Sequence, residues 1–242
     1  MPEAPLDTPV LSGDAKRSYV RDMFTAIAPR YDLLNHLLSL NIDRGWRRRA
    51  VGRLAWERAP DGRFLDSCAG TLDLAAELAC RDGFRGHVVG ADFVVPMLRL
   101  GRRKAAALRP VGADALRLPF GEAVFDGAIV GFGIRNLVDV DAGFRELRRV
   151  LRPGARLVVL EFTLPNTRLV RAAYLTYFRR VLPFVGRTVS KHTNAYTYLP
   201  DSVLEFPTPD ALGARMTAAG FAGVAWERLT LGIVALHWGA AA

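Results

Sequence analysis

Apolar residues near the start of the chain recur at helical spacing. From Tyr19 to Leu40 they fall three or four positions apart, and Pro29 interrupts the pattern, which predicts two helices with a break between them. A third helix is predicted over 44–58. Residues 1–18 are rich in proline and mixed in charge, so we expect a flexible lead there.

The middle of the chain alternates short apolar runs with amphipathic stretches. The apolar runs predict strands at 63–66, 87–92, 111–114, 125–133 and 155–162. The stretches between them predict helices at 72–80, 96–108 and 141–151. Strands separated by helices form parallel sheets with right-handed crossovers, so this alternation predicts an α/β fold.

The pattern changes after the fifth predicted strand. Residues 167–199 predict a helical insertion, and a further helix is predicted over 210–219. Two last strands are predicted at 224–229 and 232–238. The link between them, Thr230 and Leu231, is too short for a parallel crossover, so these two strands should pair antiparallel.

The composition is that of a folded, single-domain protein. Half of the 242 residues are hydrophobic and the mean hydropathy is +0.12, which excludes a disordered chain. The length fits one α/β domain spanning 1–242. The two cysteines, Cys68 and Cys80, form no paired framework, and no signal peptide or span of about 18 apolar residues is present. We therefore expect a cytoplasmic protein, with the inner face of the membrane as an alternative location.

The formal net charge of +9 raises the question of an anionic partner. Most arginines lie beside acidic residues in the sequence, a pattern that is typical of solvent-exposed helix faces. The basic groups at 47–49 and 102–104 keep nucleic acid or anionic lipid open. No strand pair with interleaved aromatic and basic residues is present, so we expect no nucleic-acid partner.

The stretch from Asp66 to Asp73 carries the first candidate chemistry. It follows the first predicted strand, and its small residues, Gly70 among them, would let a ligand approach the backbone. Asp92 lies 22 residues after Gly70, at the end of the second strand, and Asp114 ends the third. Such acids place a ligand at the carboxyl edge of the sheet.

The missing motifs narrow the choice of ligand. Neither the dinucleotide fingerprint G-x-G-x-x-G nor the phosphate loop G-x-x-x-x-G-K-[ST] is present, which disfavours NAD, ATP and GTP. An acid that opens the loop suits a ligand with a cationic amino group, such as S-adenosylmethionine (SAM). A plain tight turn at 69–71 is the alternative.

Several blocks of sequence resemble a known family. The order LDSCAGTLDLAAELA, GADFVVPML, ADALRLPF, FDGAIVGFGIRN and LRRVLRPGARLVVLEF is similar to class I SAM-dependent methyltransferases. YDLLNHLLSLNIDRGWRR, GFGIRN, LEF, YTYLPDSVLEFP and LTLGIVALHWG resemble, within that class, the C-methyltransferase family of menaquinone and ubiquinone biosynthesis. The similarity runs from about Val20 to Gly239.

The resemblance implies both a fold and an activity. The fold is Rossmann-like, with a seven-stranded, mostly parallel sheet whose last strand is antiparallel, extra N-terminal helices and a helical insertion after strand five. The activity is SAM-dependent C-methylation of a polyprenylated hydroquinone precursor, with demethylmenaquinol favoured as acceptor. Two alternatives stay open, namely a diverged methyltransferase acting on another aromatic molecule, and a basic RNA-binding protein whose cofactor loop has lapsed.

The cofactor residues follow from the same resemblance. Asp66 is expected to reach the amino-acid end of SAM, and further contacts are expected at Gly70, Thr71, Asp92, Asp114, Ala115 and Gly131. The chain departs from the family loop at Ala69 and Leu72, where glycines are usual. If position 72 needs a positive φ, a leucine there is strained, and its side chain could cover the cofactor site.

C-methylation of a hydroquinone needs a stabilised phenolate and a route for a proton. Arg135 and Asn136 follow the fourth strand and suit a developing oxyanion, while Tyr31 could relay the proton or orient the ring. The alternatives are a salt bridge from Arg135 to Asp139 or Asp141, and plain packing for Tyr31. The four histidines lack metal-ligand spacing, so we expect no metal. His192 is a candidate base.

The insertion contains a candidate lid at 168–185. Its apolar positions, Val170, Ala173, Tyr174, Tyr177, Phe178 and Val181, share one helical face, and Arg168, Arg171 and Arg179 lie opposite. A basic amphipathic helix of this kind can rest on an anionic bilayer, which would suit a lipid quinol. Packing on the domain is the alternative. The sequence does not fix the oligomeric state, so a homodimer stays open.

Overall fold

The chain folds around one seven-stranded sheet. A computed structural model describes residues 13–177, 180 and 194–242. The strands are β1 (Arg63–Ser67), β2 (His87–Asp92), β3 (Leu108–Gly112), β4 (Phe125–Gly131), β5 (Leu151–Phe162), β6 (Phe221–Leu229) and β7 (Val234–Ala241). Their spatial order is β3-β2-β1-β4-β5-β7-β6. The first five pair in parallel, and β7 is antiparallel to both β5 and β6. This architecture confirms the predicted fold.

Helices cover both faces of the sheet. They are α1 (Gly13–Ile27), α2 (Tyr31–Leu38), α3 (Ile42–Arg53), α4 (Asp73–Ala79), α5 (Val95–Gly101), α6 (Val140–Val150), α7 (Arg168–Thr176), α8 (Asn194–Leu204) and α9 (Pro209–Ala218). Residues of α3, α4 and α5 share a buried core with Phe64, whereas residues of α6 and α9 share another with Leu65. The alternation of side chains along each strand separates the two cores.

The N-terminal helix begins earlier than expected. Residues 13–18 are helical, so a flexible lead over 1–18 is wrong for this part. The reason is tertiary, because Lys16 Nζ donates to the carbonyl oxygens of Arg135 and Leu137 at 3.2 and 2.8 Å. The predicted break is confirmed, since a short 3₁₀ turn containing Pro29 separates α1 from α2.

The helix before β3 is shorter than its apolar pattern indicates. It ends at Gly101 and not at 108, and β3 begins at Leu108 and not at 111. Gly101 packs so closely on the loop that a Cβ there would meet the Thr71 carbonyl oxygen at 2.0 Å. As a result, Asp114 lies two residues beyond the strand that it was expected to end.

The third helix also ends early, at Arg53 and not at 58, because Ala55 adopts a φ of 58° and a 3₁₀ turn follows.

The two last strands confirm the predicted antiparallel pair, with Leu229 opposite Val234. The insertion after β5 begins with α7 as predicted. Phe178, Arg179, Val181 and His192 lie outside the described residues. No described helix is long and apolar enough to cross a membrane.

Candidate active site

The loop between β1 and α4 follows the carboxyl edge of the sheet and has an unusual backbone. Cys68, Gly70 and Leu72 adopt left-handed conformations with φ values of 57°, 51° and 65°. Such values suit glycine and strain other residues. The loop is held because Gly70 N donates to Asp92 Oδ2 at 2.8 Å and Leu72 N to the Ala69 oxygen at 2.7 Å.

The side chain of Leu72 points away from the loop and into the core. It is fully buried, and a Cβ on Gly90 would meet its Cδ2 at 2.0 Å. Leu72 lines neither cavity described below. The expectation of a positive φ is therefore confirmed, whereas the expectation that this side chain covers the cofactor site is wrong. A glycine in the adjacent strand makes the room that the leucine fills.

Asp92 supports the loop from the neighbouring strand. Its Oδ2 accepts from Gly70 N and its Oδ1 from Val94 N, both at 2.8 Å. Burial raises the pKa of this carboxyl, and the backbone donors oppose the rise. Each carboxylate oxygen can accept a second hydrogen bond, so Asp92 can still receive a ligand hydroxyl.

Asp66 lies beneath the loop, fully enclosed. Its Oδ2 accepts from Ala75 N at 3.0 Å, at the start of α4, while its Oδ1 has no hydrogen-bond partner in the described part of the chain. Burial raises the pKa of Asp66 to about 8. A buried carboxyl oxygen without a partner fits a site for a hydrogen-bond donor.

A narrow cavity of about 60 Å³ runs along the sheet edge, with room for a few water molecules. Seven of the predicted site residues line it, namely Tyr31, Gly70, Asp92, Asp114, Ala115, Gly131 and Asn136. Asp66 and Thr71 do not. Helix α1 forms its cover, with Val20 and Phe24 in the wall and Arg17 paired with Asp114.

Thr71 takes part in a polar network that the sequence did not reveal. Its hydroxyl donates to Asp32 on α2, and Lys104 Nζ binds both Asp32, at 2.7 Å, and Asp73. Arg47 Nη2 lies 3.2 Å from the second oxygen of Asp73. The network ties the cofactor loop to α2 and α3, which lie far apart from it in sequence.

A larger, mostly apolar cavity of about 450 Å³ adjoins the narrow one. Phe24, Tyr31 and Phe132 line both cavities. The large cavity is walled by aromatic and aliphatic side chains from α2, α3, β5 and α7, including Leu34, Trp46, Phe162, Tyr174 and Tyr177. Its size and character match sites for small apolar ligands with a few polar anchors.

Besides Arg47, which pairs with Asp43 and Asp73, Arg135 is the cation that lines this apolar cavity among the described residues. It is buried, and its Nη1 donates to Glu161 Oε1 at 2.5 Å and to the Phe132 oxygen at 2.7 Å. The expected salt bridge to Asp139 or Asp141 is wrong, because Asp139 caps α6 and Asp141 lies 3.7 Å from Arg215. Nε of Arg135 has no hydrogen-bond partner among the described residues.

Asn136 and Tyr31 flank this arginine. Asn136 Oδ1 accepts from the hydroxyl of Tyr198 at 3.1 Å, a residue that sequence reasoning missed. The ring of Tyr31 packs edge-on against Phe24 at 5.9 Å, and burial raises the pKa of its hydroxyl. Tyr31 therefore packs with the N-terminal helices and also lines both cavities. Plain packing and a role in orienting the ring are thus compatible for this residue.

The histidines of the described chain stand apart from the two cavities. His237 is buried with Nε2 2.9 Å from the Pro209 oxygen, and burial lowers its pKa to about 4. His36 lies 2.9 Å from Asp43. His192 lies outside the described residues. In the part of the chain that is described, no group of three or more His, Cys, Asp or Glu side chains could hold a metal ion.

The donor set of the narrow cavity fits SAM. Asp92 supplies a carboxylate for ribose hydroxyls and Asp114 an acceptor for an amino group, while Asp66, which does not line the cavity, lies beneath the loop as a buried acid with one unpartnered oxygen. Gly70, in its left-handed conformation, lets the loop backbone approach a ligand.

Comparison with known proteins gives a consistent result. A family model described as the ubiE/COQ5 methyltransferase family matches residues 12–241. A demethylmenaquinone methyltransferase from Thermus thermophilus is 52% identical over 221 residues, which cover 90% of this chain and 99% of the relative. One from Deinococcus radiodurans is 47% identical over 235 residues, with 96% of each chain covered. A ubiquinone/menaquinone biosynthesis C-methyltransferase UbiE from Geotalea daltonii is 44% identical over 230 residues, covering 93% of this chain and 97% of the relative.

Solved structures share the fold at low sequence identity. A SAM-dependent methyltransferase from Thermotoga maritima superposes with a TM-score of 0.61 at 17% identity, over 91% of this chain and all of the other. The [4+2]-cyclase SpnF gives 0.63 at 19% identity, over 88% and 75%. A cyclase on the same fold shows that the fold alone does not decide the reaction.

Proposed function

The chain belongs to the ubiE/COQ5 methyltransferase family, and we propose that it methylates a ring carbon of demethylmenaquinol to give menaquinol. It is a SAM-dependent enzyme. The observation that carries the proposal is Arg135, a buried arginine that lines an apolar cavity adjoining the cofactor cavity. An apolar cavity with a fixed cation in its wall suits a lipid quinol that must become an anion.

The cofactor residues act by binding and orienting. SAM, when bound, supplies a methyl group on a positively charged sulfur. We propose that Asp92 accepts from the ribose, that Asp114, released from Arg17, accepts from the adenine, and that Asp66 faces the ammonium group. Gly70, Thr71, Ala115 and Gly131 complete the site. Because α1 covers this cavity, its closure would also exclude water from the reaction.

The chemistry is assigned to residues where the two cavities meet. A ring carbon of the quinol becomes nucleophilic when the hydroxyl group beside it loses its proton. The Arg135 guanidinium, held by Glu161, stabilises the resulting oxyanion with a charge-assisted hydrogen bond. Asn136 and Tyr31 orient the ring, since the first is fixed by Tyr198 and the second lines both cavities. The walls of the two cavities then align the quinol ring carbon with the methyl group of SAM.

The test of this function is methyl transfer from SAM with a labelled methyl group. Purified protein is mixed with the quinol forms of a short-chain demethylmenaquinone and of a short-chain demethylubiquinone precursor. We expect label on a ring carbon of the naphthoquinol, with slower transfer to the benzoquinol, and mass spectrometry distinguishes C-methyl from O-methyl products. Protein that binds SAM, measured by calorimetry, but labels neither quinol would overturn the proposal.

Exposed apolar residues that line the large cavity support the proposed membrane contact of the segment 168–185, of which 168–177 and 180 are described. Leu40, Ile42 and Leu231 line the cavity and are 77%, 44% and 75% exposed. On α7, Leu169 is 79% exposed and lies near the exposed Arg168 and Arg171. An apolar rim beside arginines fits an anionic bilayer surface. We expect flotation with anionic but not zwitterionic vesicles, and loss of flotation in Leu169→Glu/Leu231→Glu. Equal recovery of this variant with vesicles would exclude this surface.

A further inference from the structure

Methylation at carbon leaves a proton to be removed. The ring carbon gains a methyl group and loses hydrogen as a proton, and the sulfur–methyl bond breaks with its electron pair remaining on sulfur. The sulfonium becomes a neutral thioether, so the net reaction releases one proton. That proton must leave a mostly apolar cavity, and the enzyme therefore needs an acceptor for it.

The apolar cavity offers no free acceptor among the described residues. Its carboxylate, Asp43, accepts from Ser39 Oγ at 2.6 Å and is paired with Arg47 and His36, and these partners lower its pKa. Burial raises the pKa of the Tyr31, Tyr174 and Tyr198 hydroxyls, so these side chains stay neutral. Each of them can pass a proton on but cannot hold an extra one.

A third cavity, polar and of about 440 Å³, adjoins the apolar cavity at Arg135 and Tyr198. These two residues line both cavities, so they form the partition between them. The charged groups that face the polar cavity are Lys16 of α1, Asp139, Asp201 of α8, Glu205 and Arg215 of α9. Glu205 is exposed, so the polar cavity reaches solvent there.

Tyr198 is held in this partition from two directions. Its hydroxyl donates to Asn136 Oδ1 at 3.1 Å, and its ring lies 5.7 Å from that of Tyr19. Glu205, Lys16 and Tyr198 line the same polar cavity, and the negative charge of Glu205 adds to the rise of the Tyr198 pKa and opposes the lowering of the Lys16 pKa by burial. Lys16 is itself anchored on the Arg135 and Leu137 carbonyl oxygens. An acid, a hydroxyl and the active-site amide thus occupy one continuous region.

We propose that this polar cavity is the exit for the reaction proton, with the Tyr198 hydroxyl as the link through the partition and the Glu205 carboxylate as the acceptor at the solvent end. This rests on the proposed methylation of a quinol. The Tyr198 hydroxyl turns away from Asn136 Oδ1 and gives its own proton to water in the polar cavity as Oη takes the quinol proton, and that water passes a proton to Glu205. Glu205 releases the proton to bulk water, so no group is consumed.

The experiment is single-turnover methyl transfer to the short-chain naphthoquinol in weak buffer. We expect Glu205→Gln to slow transfer about 10²-fold, the low end for a positioned proton acceptor. Added imidazole or phosphate should restore the rate, because a small buffer molecule can take the proton at the open end. Tyr198→Phe should be equally slow and should not respond to buffer, since its defect lies inside the partition.

Matched controls separate this role from structural effects. Asp82→Asn removes an exposed acid elsewhere and should keep the full rate. Thermal unfolding and calorimetric binding of S-adenosylhomocysteine should be unchanged in Glu205→Gln. An undiminished rate for Glu205→Gln in weak buffer overturns the proposal, and so does a loss that buffer fails to restore. Absence of transfer by the unmodified protein would instead count against the proposed function.

Discussion

The Arg135 guanidinium lies 2.5 Å from the Glu161 carboxylate, and both side chains are almost fully buried. Burial raises the pKa of Glu161, while the charge of Arg135 opposes the rise. Glu161 Oε1 also accepts from Phe162 N at 2.9 Å. The pair therefore fixes a positive charge at one place in the cavity wall, and Arg135 cannot swing out to solvent without leaving a buried acid alone.

Separate variants can distinguish the structural and chemical roles of this pair. Arg135→Met should lower the free energy of unfolding by about 3–5 kcal/mol, because Glu161 keeps a buried charge without a partner. Arg135→Met/Glu161→Gln should recover most of that loss, since the amide still accepts from Phe162 N. Turnover should stay about 10²–10³-fold low in both, as expected when an oxyanion donor is removed.

Denaturant titration of these variants gives the free energy of unfolding, calorimetry gives the SAM affinity, and single-turnover transfer gives the rate of methylation. Arg135→Lys serves as the control, and it should restore turnover in part, because lysine supplies charge without the planar fork. Recovery of turnover together with stability in the double variant would show that Arg135 is only a structural partner of Glu161.

Asp92 should contribute to both the loop and the cofactor. Asp92→Ala removes the acceptor for the Gly70 and Val94 amides, and unpaired buried amides cost about 1–3 kcal/mol each. We therefore expect a lower melting temperature and SAM binding weakened at least about tenfold, equivalent to about 1.4 kcal/mol. Calorimetry below the melting temperature of the variant measures the change in SAM affinity alone. Unchanged SAM affinity in folded Asp92→Ala would remove this residue from the cofactor site.

Leu72 should matter for stability and not for cofactor binding. Leu72→Ala empties a buried site and should cost about 2–5 kcal/mol of unfolding free energy. Leu72→Gly loses the same contacts but relieves the strain of a positive φ, so it should be more stable than Leu72→Ala by about 1 kcal/mol. Urea titrations of both variants give the difference. A large change in SAM affinity in either would show that the side chain acts at the cofactor site.

Asp66 should make stability fall as the pH rises. Its pKa is raised from 3.8 to about 8 in the folded state, so between these values the folded protein holds a proton that the unfolded chain has released. The stabilising effect is complete below pH 4 and is lost as the pH rises through about 8. The slope is at most about 1.4 kcal/mol per pH unit.

Urea titrations from pH 5 to 8 test this dependence. Asp66→Asn should remove the decline, with Asp82→Asn, at an exposed acid, as the control that keeps it. His237, whose pKa is lowered to about 4, contributes the opposite slope below pH 6.5 in all three proteins and cancels in the comparison. Parallel curves for the unmodified protein and Asp66→Asn would mean that Asp66 is ionised in the fold.

The sequence by itself determined the order of strands and helices, because burial imposes a local period on each element. The strand over 87–92 matches its prediction at both ends, since it is a continuous apolar run bounded by polar residues. The acids at 66, 92 and 114 stay predictions that rest on a general property of parallel sheets, whose carboxyl ends carry ligand contacts. Asp66 lies in β1 and Asp92 ends β2, whereas Asp114 lies two residues beyond β3. The boundaries that failed, near Gly101 and Ala55, depend on backbone contact or a left-handed residue, which periodicity does not report.

The partners of the site residues were decided only by the tertiary structure. Nearby acids in the sequence indicated Asp139 or Asp141 for Arg135, yet β4 and β5 pair in parallel with Gly131 opposite Leu160. This register brings Glu161, 26 residues away, beside the arginine. Likewise, Tyr198 meets Asn136 across 62 residues. Side-chain periodicity is a local property of the chain, whereas strand register and helix packing are set by burial of the whole core, and these contacts exist only once that core has formed.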